Sequence, residues 1–358
     1  MKVKIVLLVF ACFYMPFRSF SQTDKCGTVV KGDASDLRSL SSITIEPLPA
    51  NENIKYFPIK HHIVRKSDGT GGLNVSDIDK VMQELNDKYE KAYVKFYTYN
   101  DIDFIDSDIY YDYHEADEYP LMRKYNNEKA INIYYFHTIT YRSGSTPDGY
   151  SHFPDEEENF IAIKKQWVLE SDIVIHEVGH FFGLYHTHET AFGKEKIDGS
   201  NSSYTGDMCR DTPADPRLSA AVVNDNCEYI GNLEYDGLKY KPNTHNHMSY
   251  SRLECKDEFT NDQLARIYHY SRTFYSIKMQ LLDIKTDTYI QNQTFSSGTQ
   301  TVKGQNIYAG SNVTNAKASG DVIIQSPANV TFEAKESILL QSGFEVKSGA
   351  EFTGKIVK

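Results

Sequence analysis

Positive charge is scarce in this 358-residue chain: 38 Lys and Arg stand against 49 Asp and Glu, which gives a formal net charge of −11. Because binding to a phosphate backbone needs a positive surface, nucleic acid is excluded as a general partner. Long apolar runs are also missing after the first residues, so no later segment predicts a transmembrane span. The chain contains 40% hydrophobic and 24% charged residues, which is typical of a folded protein of two or three domains.

The first 21 residues are typical of a secretory signal peptide. Two lysines precede an apolar run, Ile5 to Tyr14, and Ser19-Phe20-Ser21 forms a cleavage pattern of small residues. The alternative is an uncleaved membrane anchor, but Pro16 and Arg18 interrupt the run well short of the roughly 20 residues that a span requires. We therefore expect a secreted protein, located outside the cell or at its surface.

Cysteine is sparse as well. Of the five cysteines, Cys12 lies in the predicted signal peptide, which leaves Cys26, Cys209, Cys227 and Cys255 for an oxidising compartment where disulfides persist. Four cysteines allow three sets of pairs, and the residues alone do not choose between them.

The chain up to residue 285 is predicted to be a polar arm followed by an α/β domain. Residues 22–52 are polar and show no sustained period, which suits a pro-segment or N-terminal arm. Residues 53–285 alternate strand and helix patterns. We expect strands at 55–64, 94–98, 131–140 and 159–167 and helices from Ser76 to Tyr89 and after the capping box of Thr260 and Gln263. The acidic stretch 101–118 is expected to be a solvated loop rather than a calcium site, because its acids lack the fixed spacing of calcium loops.

Residues 288–358 differ in kind, being rich in Val, Ile, Ser, Thr, Gly and Asn. Apolar positions recur every 16 residues at Ile307, Ile323 and Leu339. The repeat predicts a separate all-β module, either solenoid-like or a small sandwich, in which each repeat buries its apolar face against the next. A structural role is the simplest interpretation, and surface or matrix anchoring is an alternative.

The most informative stretch is HEVGHFFGLYH at residues 176–186. Helical positions four apart share a face, so His176 and His180 can present their imidazoles to one ion. Gly183 can adopt the left-handed conformation that ends a helix, which would bring His186 back toward the other two. Three imidazoles that leave a fourth position open are typical of a catalytic zinc site rather than a closed structural one.

Glu177 directly follows the first of these histidines. We expect its carboxylate to face the open position and to remove a proton from water there, since zinc lowers the pKa of bound water toward neutrality. An amphipathic helix with incidental histidines is disfavoured, because five specified residues at set spacings arise by chance with odds on the order of 10⁻⁴. Other histidines, such as His188 and the pair His61-His62, lack this spacing and are expected to be ordinary surface or core residues.

With this motif the sequence resembles the metzincin zinc endopeptidases, in which HExxHxxGxxH is followed by a methionine turn. NHMSY at residues 246–250 resembles that turn. The resemblance implies that Met248 forms an apolar floor beneath the metal. It also implies that Tyr250 contacts the metal and then stabilises the tetrahedral intermediate.

Among metzincins, the chain is most similar to the pappalysin family, over roughly residues 53–280. The similarity is carried by Thr187 after the zinc motif, Gly206-Asp207, Asp211-Thr212-Pro213, and Cys255 ahead of Phe259-Thr260 and Gln263. It implies an α/β metzincin fold with a twisted, mixed and mostly parallel sheet and an active-site helix above the cleft. Substrate is then expected to lie extended along an edge strand near 159–167.

The resemblance also implies two structural features of the loops. Calcium is expected at Asp207, Asp211 and Thr212, although a turn formed by Asp and Pro is an equally good interpretation. Cys227 and Cys255 lie at the family spacing for one disulfide.

Cys26 has two interpretations. Within a pro-segment, Cys26-Gly27 could supply a thiolate to the open zinc position and exclude water until the segment is cut away. Alternatively, Cys26 pairs with Cys209, whose family partner is missing near Tyr235, and tethers the arm. We prefer the zinc switch, and both interpretations remain open from sequence.

Glu254 falls where pappalysins can place an acidic side chain in the pocket for the residue after the scissile bond. The resemblance thus implies a preference for Arg or Lys at that substrate position, through a charge-assisted pair. A solvated loop glutamate is the alternative.

Two classes of function follow. The first is a secreted zinc endopeptidase that hydrolyses proteins or peptides. The second is a catalytically inactive surface-binding protein or adhesin that uses residues 288–358. The first is favoured because five residues that an inactive relic would not need are all retained: His176, Glu177, His180, His186 and Tyr250.

Overall fold

The computed structural model describes residues 26–30, 45–50, 52–154, 156, 159–169, 172–273, 277–314 and 317–357. The predicted signal peptide and most of the predicted pro-segment therefore lie outside the described residues. Within the described part of the chain, none of the helices combines the length and apolarity needed to span a membrane.

The regular elements follow one another with short connections up to residue 181, and strands dominate after residue 285. The helices are α1 (Val75–Tyr89), α2 (Asp108–Tyr111), α3 (Glu118–Tyr125), α4 (Ile173–Phe181), α5 (Asn261–Thr273) and α6 (Ile277–Leu281). The first strands are β1 (Lys55–Arg65), β2 (Val94–Thr98), β3 (Asp103–Asp106), β4 (Asp112–His114), β5 (Ile131–Phe136), β6 (Thr138–Thr140), β7 (Gly149–Ser151), β8 (Ile161–Lys164), β9 (Glu234–Tyr235), β10 (Leu238–Lys239) and β11 (Lys285–Thr286). The remaining strands are β12 (Thr288–Ile290), β13 (Gln293–Phe295), β14 (Thr299–Ala309), β15 (Val322–Ile324), β16 (Asn329–Leu340), β17 (Phe344–Val346) and β18 (Glu351–Ile356).

A mixed, mostly parallel sheet organises the first part of the chain, as expected. Its strands lie in the order β11-β1-β5-β8-β7, and β2 and β3 also pair with β1. The pairs of β1 with β2, β3 and β5, and of β5 with β8, are parallel. Only β7 and β11 run antiparallel to their neighbours. The sheet therefore ends at β7, which is an edge strand.

Apolar periodicity explains how α1 joins this sheet. Its buried residues Ile78, Val81, Leu85 and Tyr89 follow the helical spacing that the sequence predicted. They share one hydrophobic cluster with residues of β1, β2 and β5 and with α4, whose nine residues are all buried. The helix that carries the HExxH motif is thus enclosed between the sheet and the later loops.

The acidic stretch 101–118 differs from the solvated loop that we expected. It contains β3, α2 and β4, and Ile105 is buried. Basic residues of β1 bind its acids: Lys60 Nζ lies 2.7 Å from Asp103, and Arg65 Nε lies 2.7 Å from Asp106. The prediction was wrong because these partners lie about 40 positions away along the chain, where local charge patterning does not show them.

Two strand predictions also needed correction. The predicted strand 131–140 is divided into β5 and β6, which pair in different sheets. The segment 159–167 contains β8, which lies between β5 and β7 and is not an edge. Residues Gly149–Ser151 form the edge instead, because β7 folds back antiparallel onto β8.

The C-terminal region forms two parallel sheets, one of β12-β14-β16-β18 and one of β13-β15-β17. Successive strands alternate between the sheets, as in a solenoid, and enclose a hydrophobic cluster of their own. The predicted 16-residue repeat follows this alternation: Ile307 and Leu339 lie in the first sheet, and Ile323 lies in the second, where it pairs with Thr294 and Glu345. Ile307 pairs with Ile338 rather than with Leu339.

We expect Phe332→Ala to destabilise the C-terminal module by about 3–5 kcal/mol, because removal of a buried Phe side chain leaves a cavity. Phe332 is fully buried and packs edge-on against Phe352, with ring centroids 5.0 Å apart. Thermal unfolding of the purified chain measures the loss. Leu340→Ala is the control, since Leu340 is 45% exposed and its truncation should change stability by less than about 0.5 kcal/mol. Equal effects of the two substitutions would contradict the buried position of Phe332.

Candidate metal centre and active site

The helix α4 ends in the sharp turn that Gly183 was expected to allow. Gly183 has φ +80°, and a Cβ atom there would lie 2.7 Å from the ring of Tyr270. The chain reverses as Gly183 N donates to His180 O and Leu184 N donates to Gly179 O, at 2.8 and 3.0 Å. This reversal returns His186 to the helix face that carries the two earlier histidines.

Three imidazoles converge at this point. His180 Nε2 lies 3.1 Å from His176 Nε2 and 3.2 Å from His186 Nε2. Backbone carbonyls accept from the other ring nitrogens of two of them: His176 Nδ1 donates to His247 O at 2.8 Å, and His180 Nδ1 donates to Leu184 O at 2.7 Å. Those bonds leave the lone pairs of the Nε2 atoms directed at one another.

Burial keeps the three rings neutral. It lowers the pKa of His180 to about 4, and it lowers the pKa values of His176 and His186 well below the ordinary value for histidine. Neutral imidazoles are the form that binds a transition metal. Nitrogens bound tetrahedrally to one zinc ion lie roughly 3.4 Å apart, so this donor set fits zinc.

The remaining predicted catalytic groups surround this cluster. Glu177 is fully buried, and burial raises its pKa to about 8. The ring of Tyr250 lies 4.9 Å from the ring of His186. Met248 is fully buried beneath α4, where a Cβ atom on Gly179 would lie 2.7 Å from its Sδ.

An arm of the N-terminal segment, residues 26–30, lies across the site. Cys26 Sγ is 3.4 Å from His180 Nε2, and together with the three Nε2 atoms it forms a group of possible ligand atoms within 4.8 Å of one another. Thr28 Oγ1 donates to Glu177 Oε2 at 3.0 Å. Tyr250 Oη donates to Cys26 O at 3.0 Å. The arm thus contacts three groups of the site: the imidazoles through Cys26 Sγ, Glu177 through Thr28, and Tyr250 through the Cys26 carbonyl.

The arm is held on the edge strand β7. Gly27 N donates to Gly149 O at 2.8 Å, and Ser151 N donates to Thr28 Oγ1 at the same distance. Cys26 and Gly149 form a parallel β-bridge. This is an extended peptide bound to the edge of the sheet, at a strand other than the one that we expected to bind it.

Cys227 and Cys255 form a disulfide, as the resemblance implied. Cys26 and Cys209 are both free and buried, so the alternative pairing between them is absent from this structure.

Glu254 does not lie where the resemblance implied. Its side chain is 77% exposed, with its nearest ionic partner, Arg252, 3.9 Å away. The pocket beside His176 is lined instead by Asp148 and Lys256 among its charged residues. Glu254 lies in a turn of 3₁₀ helix, Leu253–Cys255, and its neighbours Leu253 and Lys256 line that pocket.

The predicted calcium ligands are only partly brought together. Asp207 is 1% exposed, and its Oδ1 accepts from Cys209 N at 2.9 Å. Asp211 Oδ2 accepts from Asp262 N at the start of α5, and Thr212 Oγ1 lies 3.4 Å from Thr260 Oγ1. Two of the three predicted ligands are therefore engaged in holding the helix α5.

Sequence reasoning missed several residues that contact the site. His188 stacks on His186 with ring centroids 5.0 Å apart and lies 4.5 Å from the ring of Tyr250. Its spacing two residues after His186 was the available signal. Thr28 and Asp172 carried no such signal, because their partners are distant in the chain.

A peptidase family described as pregnancy-associated plasma protein-A matches residues 115–270. Residues 115–270, which contain the zinc motif and the methionine turn, thus match a pappalysin-family peptidase domain. An extracellular metalloprotease of Pyricularia oryzae is 26% identical over 58% of this chain and 71% of its own length. One from Colletotrichum graminicola is 34% identical over 27% of this chain and 29% of its own length. Mouse pappalysin-1 is 32% identical over 27% of this chain, which spans only 6% of that protein.

Two solved structures are also similar to the chain. Mirolysin in complex with compound 9 is 17% identical, with a TM-score of 0.48, over 65% of this chain and 97% of its own. Mature mirolysin of Tannerella forsythia in complex with a cleaved peptide is 18% identical, with a TM-score of 0.47, over 65% and 96%.

We expect Gly179→Ala to lower the stability of the pappalysin domain by about 1–2 kcal/mol. Alanine in a helix is otherwise favoured over glycine by about 1 kcal/mol, but here its Cβ would overlap the fully packed Met248. Thermal unfolding gives the sign directly. Gly354→Ala is the control, since the nearest atom to its Cβ would be Ile338 Cδ1 at an ordinary 3.4 Å. A stabilised Gly179→Ala protein would show that Met248 does not pack against α4.

Proposed function

We propose that the chain is a secreted zinc-dependent endopeptidase that hydrolyses proteins or peptides with Glu177 as the general base. The observation that carries this proposal is the convergence of three neutral imidazoles beside a buried carboxylate. The Nε2 atoms of His176 and His186 both lie within 3.2 Å of His180 Nε2, and Glu177 is fully buried. The signal-peptide pattern and the relatives named extracellular metalloproteases support export.

Zinc held by His176, His180 and His186 would polarise a peptide carbonyl and lower the pKa of water. The chain's own residues would then move the protons. Glu177, whose pKa is raised to about 8, would accept a proton from water and return it to the leaving amine. The first transfer needs the ionised carboxylate, which the positive charge of a bound zinc ion would favour against the effect of burial.

Tyr250 would hold the carbonyl oxygen of the substrate. In this structure its hydroxyl donates to a peptide carbonyl, that of Cys26, at 3.0 Å. A substrate carbonyl in the same place would receive the same hydrogen bond, and this bond strengthens as negative charge develops on the oxygen. The Cys26 carbonyl thus stands where we place the scissile carbonyl.

The substrate backbone would add to the edge strand β7, where the arm now lies. Gly149 O accepts from the arm and Ser151 N donates to it, so both groups are available to an extended peptide. The bond to Gly149 O is a backbone contact that any substrate residue except proline could make, whereas the bond from Ser151 N goes to the Thr28 side chain.

We further propose that the arm keeps the peptidase latent through Cys26. Its Sγ lies 3.4 Å from His180 Nε2, among the atoms that would bind the ion, and thiolate is a strong ligand for zinc that would exclude water. Gly27 fits under Tyr141, where a Cβ atom would lie 2.2 Å from the Tyr141 hydroxyl oxygen. Removal of the arm would open the site.

A preference for a basic residue after the scissile bond would now rest on Asp148 rather than Glu254. Asp148 lines the pocket beside His176, but it also pairs with Lys164 at 3.3 Å. Lys256 lines the same pocket and opposes a second cation. We therefore expect this pocket to attract Arg or Lys only weakly, and less than it would if Glu254 lined it.

Calcium binding remains a proposal that rests on Asp207 and Glu195. Both carboxylates are buried, and each has one oxygen without a hydrogen bond among the described residues. Burial raises their pKa values, to about 7 for Asp207 and about 8 for Glu195. A calcium ion would stabilise both as carboxylates.

We expect Glu177→Gln to reduce casein hydrolysis by the arm-free protein at least 100-fold, because the amide cannot accept the proton. Zinc content, measured by atomic emission, should stay at one ion per chain. Glu90→Gln is the matched control, since Glu90 is exposed at the end of α1. Full activity of Glu177→Gln would exclude Glu177 as the base, and loss of zinc would assign it to metal binding instead.

We expect Cys26→Ser in the chain that keeps its arm to raise peptide hydrolysis at least tenfold over the unmodified chain, because the thiolate ligand is lost. Cys209→Ser removes the other buried free thiol and should leave the chain latent. If Cys26→Ser and Cys209→Ser are equally latent, the thiol does not control the activity.

A further inference from the structure

Asp172, at the start of α4, contacts three separate segments, one through its backbone carbonyl and two through its buried carboxylate. Asp172 O accepts from His176 N at 2.9 Å, in the first turn of the helix. Its Oδ1 accepts from His247 Nδ1 at 2.7 Å, in the methionine turn. Its Oδ2 lies 2.6 Å from Lys256 Nζ, in the segment that follows the disulfide. One side chain therefore joins the metal-binding helix to both segments that face it.

The bond to His247 bears on the first histidine of the site. His247 O accepts from His176 Nδ1 at 2.8 Å, so His176 carries its proton on Nδ1 and its lone pair on Nε2. His180 obtains the same control from Leu184, four residues further along its own turn. The ring of His176 depends on a carbonyl 71 residues away, and that carbonyl belongs to the residue whose ring Asp172 holds.

The ion pair with Lys256 fixes the charge of the adjoining pocket. The side chains of Asp172 and Lys256 are only 6% and 5% exposed. Neither charge can be solvated at that exposure, so each needs the other. Lys256 lines the pocket beside His176 and Tyr250. The carboxylate that anchors His247 thus also neutralises the cation in the pocket wall.

We propose that Asp172 is a positioning residue, which holds His176 in its metal-binding orientation through the ring and carbonyl of His247. This inference rests on the proposed zinc peptidase function. Asp172 would orient one metal ligand and take no part in the hydrolysis itself. Partners of this kind behind a metal-bound histidine change metal affinity by about 10–100-fold when they are lost.

The test compares two charge-balanced double variants in the full chain with Cys26→Ala, so that only the imidazoles bind the metal. Asp172→Asn with Lys256→Met keeps an oxygen that can accept from His247. Asp172→Leu with Lys256→Met removes that oxygen, and both pairs avoid an unpaired buried charge. The readout is the Kd for Zn²⁺ alone, measured by competition with a chromophoric chelator, and no peptidase activity is needed.

We expect the Asn pair to bind Zn²⁺ within about threefold of the Cys26→Ala parent and the Leu pair to bind at least tenfold more weakly. That rescue by the Asn oxygen would not occur if Asp172 only stabilised the fold. Equal affinities of the two pairs would overturn the proposal. Thermal unfolding of the metal-free proteins shows whether both pairs are folded.

If the Leu pair does not fold, a second comparison decides, and it leaves Asp172 and Lys256 intact. His247→Gln keeps an N–H that can donate to Asp172, and His247→Leu does not. We expect the Leu variant to bind Zn²⁺ at least tenfold more weakly than the Gln variant, and equal binding would again overturn the proposal. If the Cys26→Ala parent binds no Zn²⁺, the proposed function is overturned. If the parent and all variants bind Zn²⁺ with equal affinity, only this inference is overturned.

Discussion

The site depends on directing three imidazole lone pairs at one point inside the protein. The three Nε2 atoms, two of which lie within 3.2 Å of that of His180, can all offer a lone pair to one cation only if their protons sit on the opposite nitrogens. Each Nδ1 proton then needs a buried acceptor, because an unsatisfied donor is costly away from water. The turn at Gly183 supplies the Leu184 carbonyl to His180, and the methionine turn supplies the His247 carbonyl to His176. Much of the architecture behind α4 serves these two hydrogen bonds.

The same requirement explains which parts could be predicted. The histidines, Glu177 and Gly183 lie within eleven residues, so helical geometry alone relates them. The capping box of Thr260 and Gln263 is equally local, and both of its hydrogen bonds are present at 3.0 and 3.3 Å. The edge strand was misplaced because the order of strands depends on where β7 folds back, and no local pattern in Gly149–Ser151 records that. Asp172 was missed since its partners lie more than 70 residues away.

Resemblance to a family carried residues over by position, and position does not fix the direction of a side chain. Cys227 and Cys255 form the implied disulfide, and this bond fixes the direction of both side chains. Glu254 is the adjacent residue, but its side chain is 77% exposed and makes only a 3.9 Å ion pair with Arg252. Lys256, one residue beyond the disulfide, is buried by its pairing with Asp172. The charge of the pocket therefore came from a residue that the motif does not include.

Charge balance connects the arm with the chemistry. Burial raises the pKa of Cys26, and the negative charge of Glu177 raises it further, so without a cation the two groups resist being ionised together. A divalent cation held by neutral imidazoles would be balanced by the thiolate and the carboxylate, which sum to −2. Removal of the arm would remove the thiolate, so the cation would then be balanced by only one negative charge, that of Glu177. In the proposed reaction Glu177 would take up a proton as negative charge develops on the carbonyl oxygen beside Tyr250, so the charge would move within the site without changing in total, and the Tyr250 hydroxyl would stabilise it in its new position.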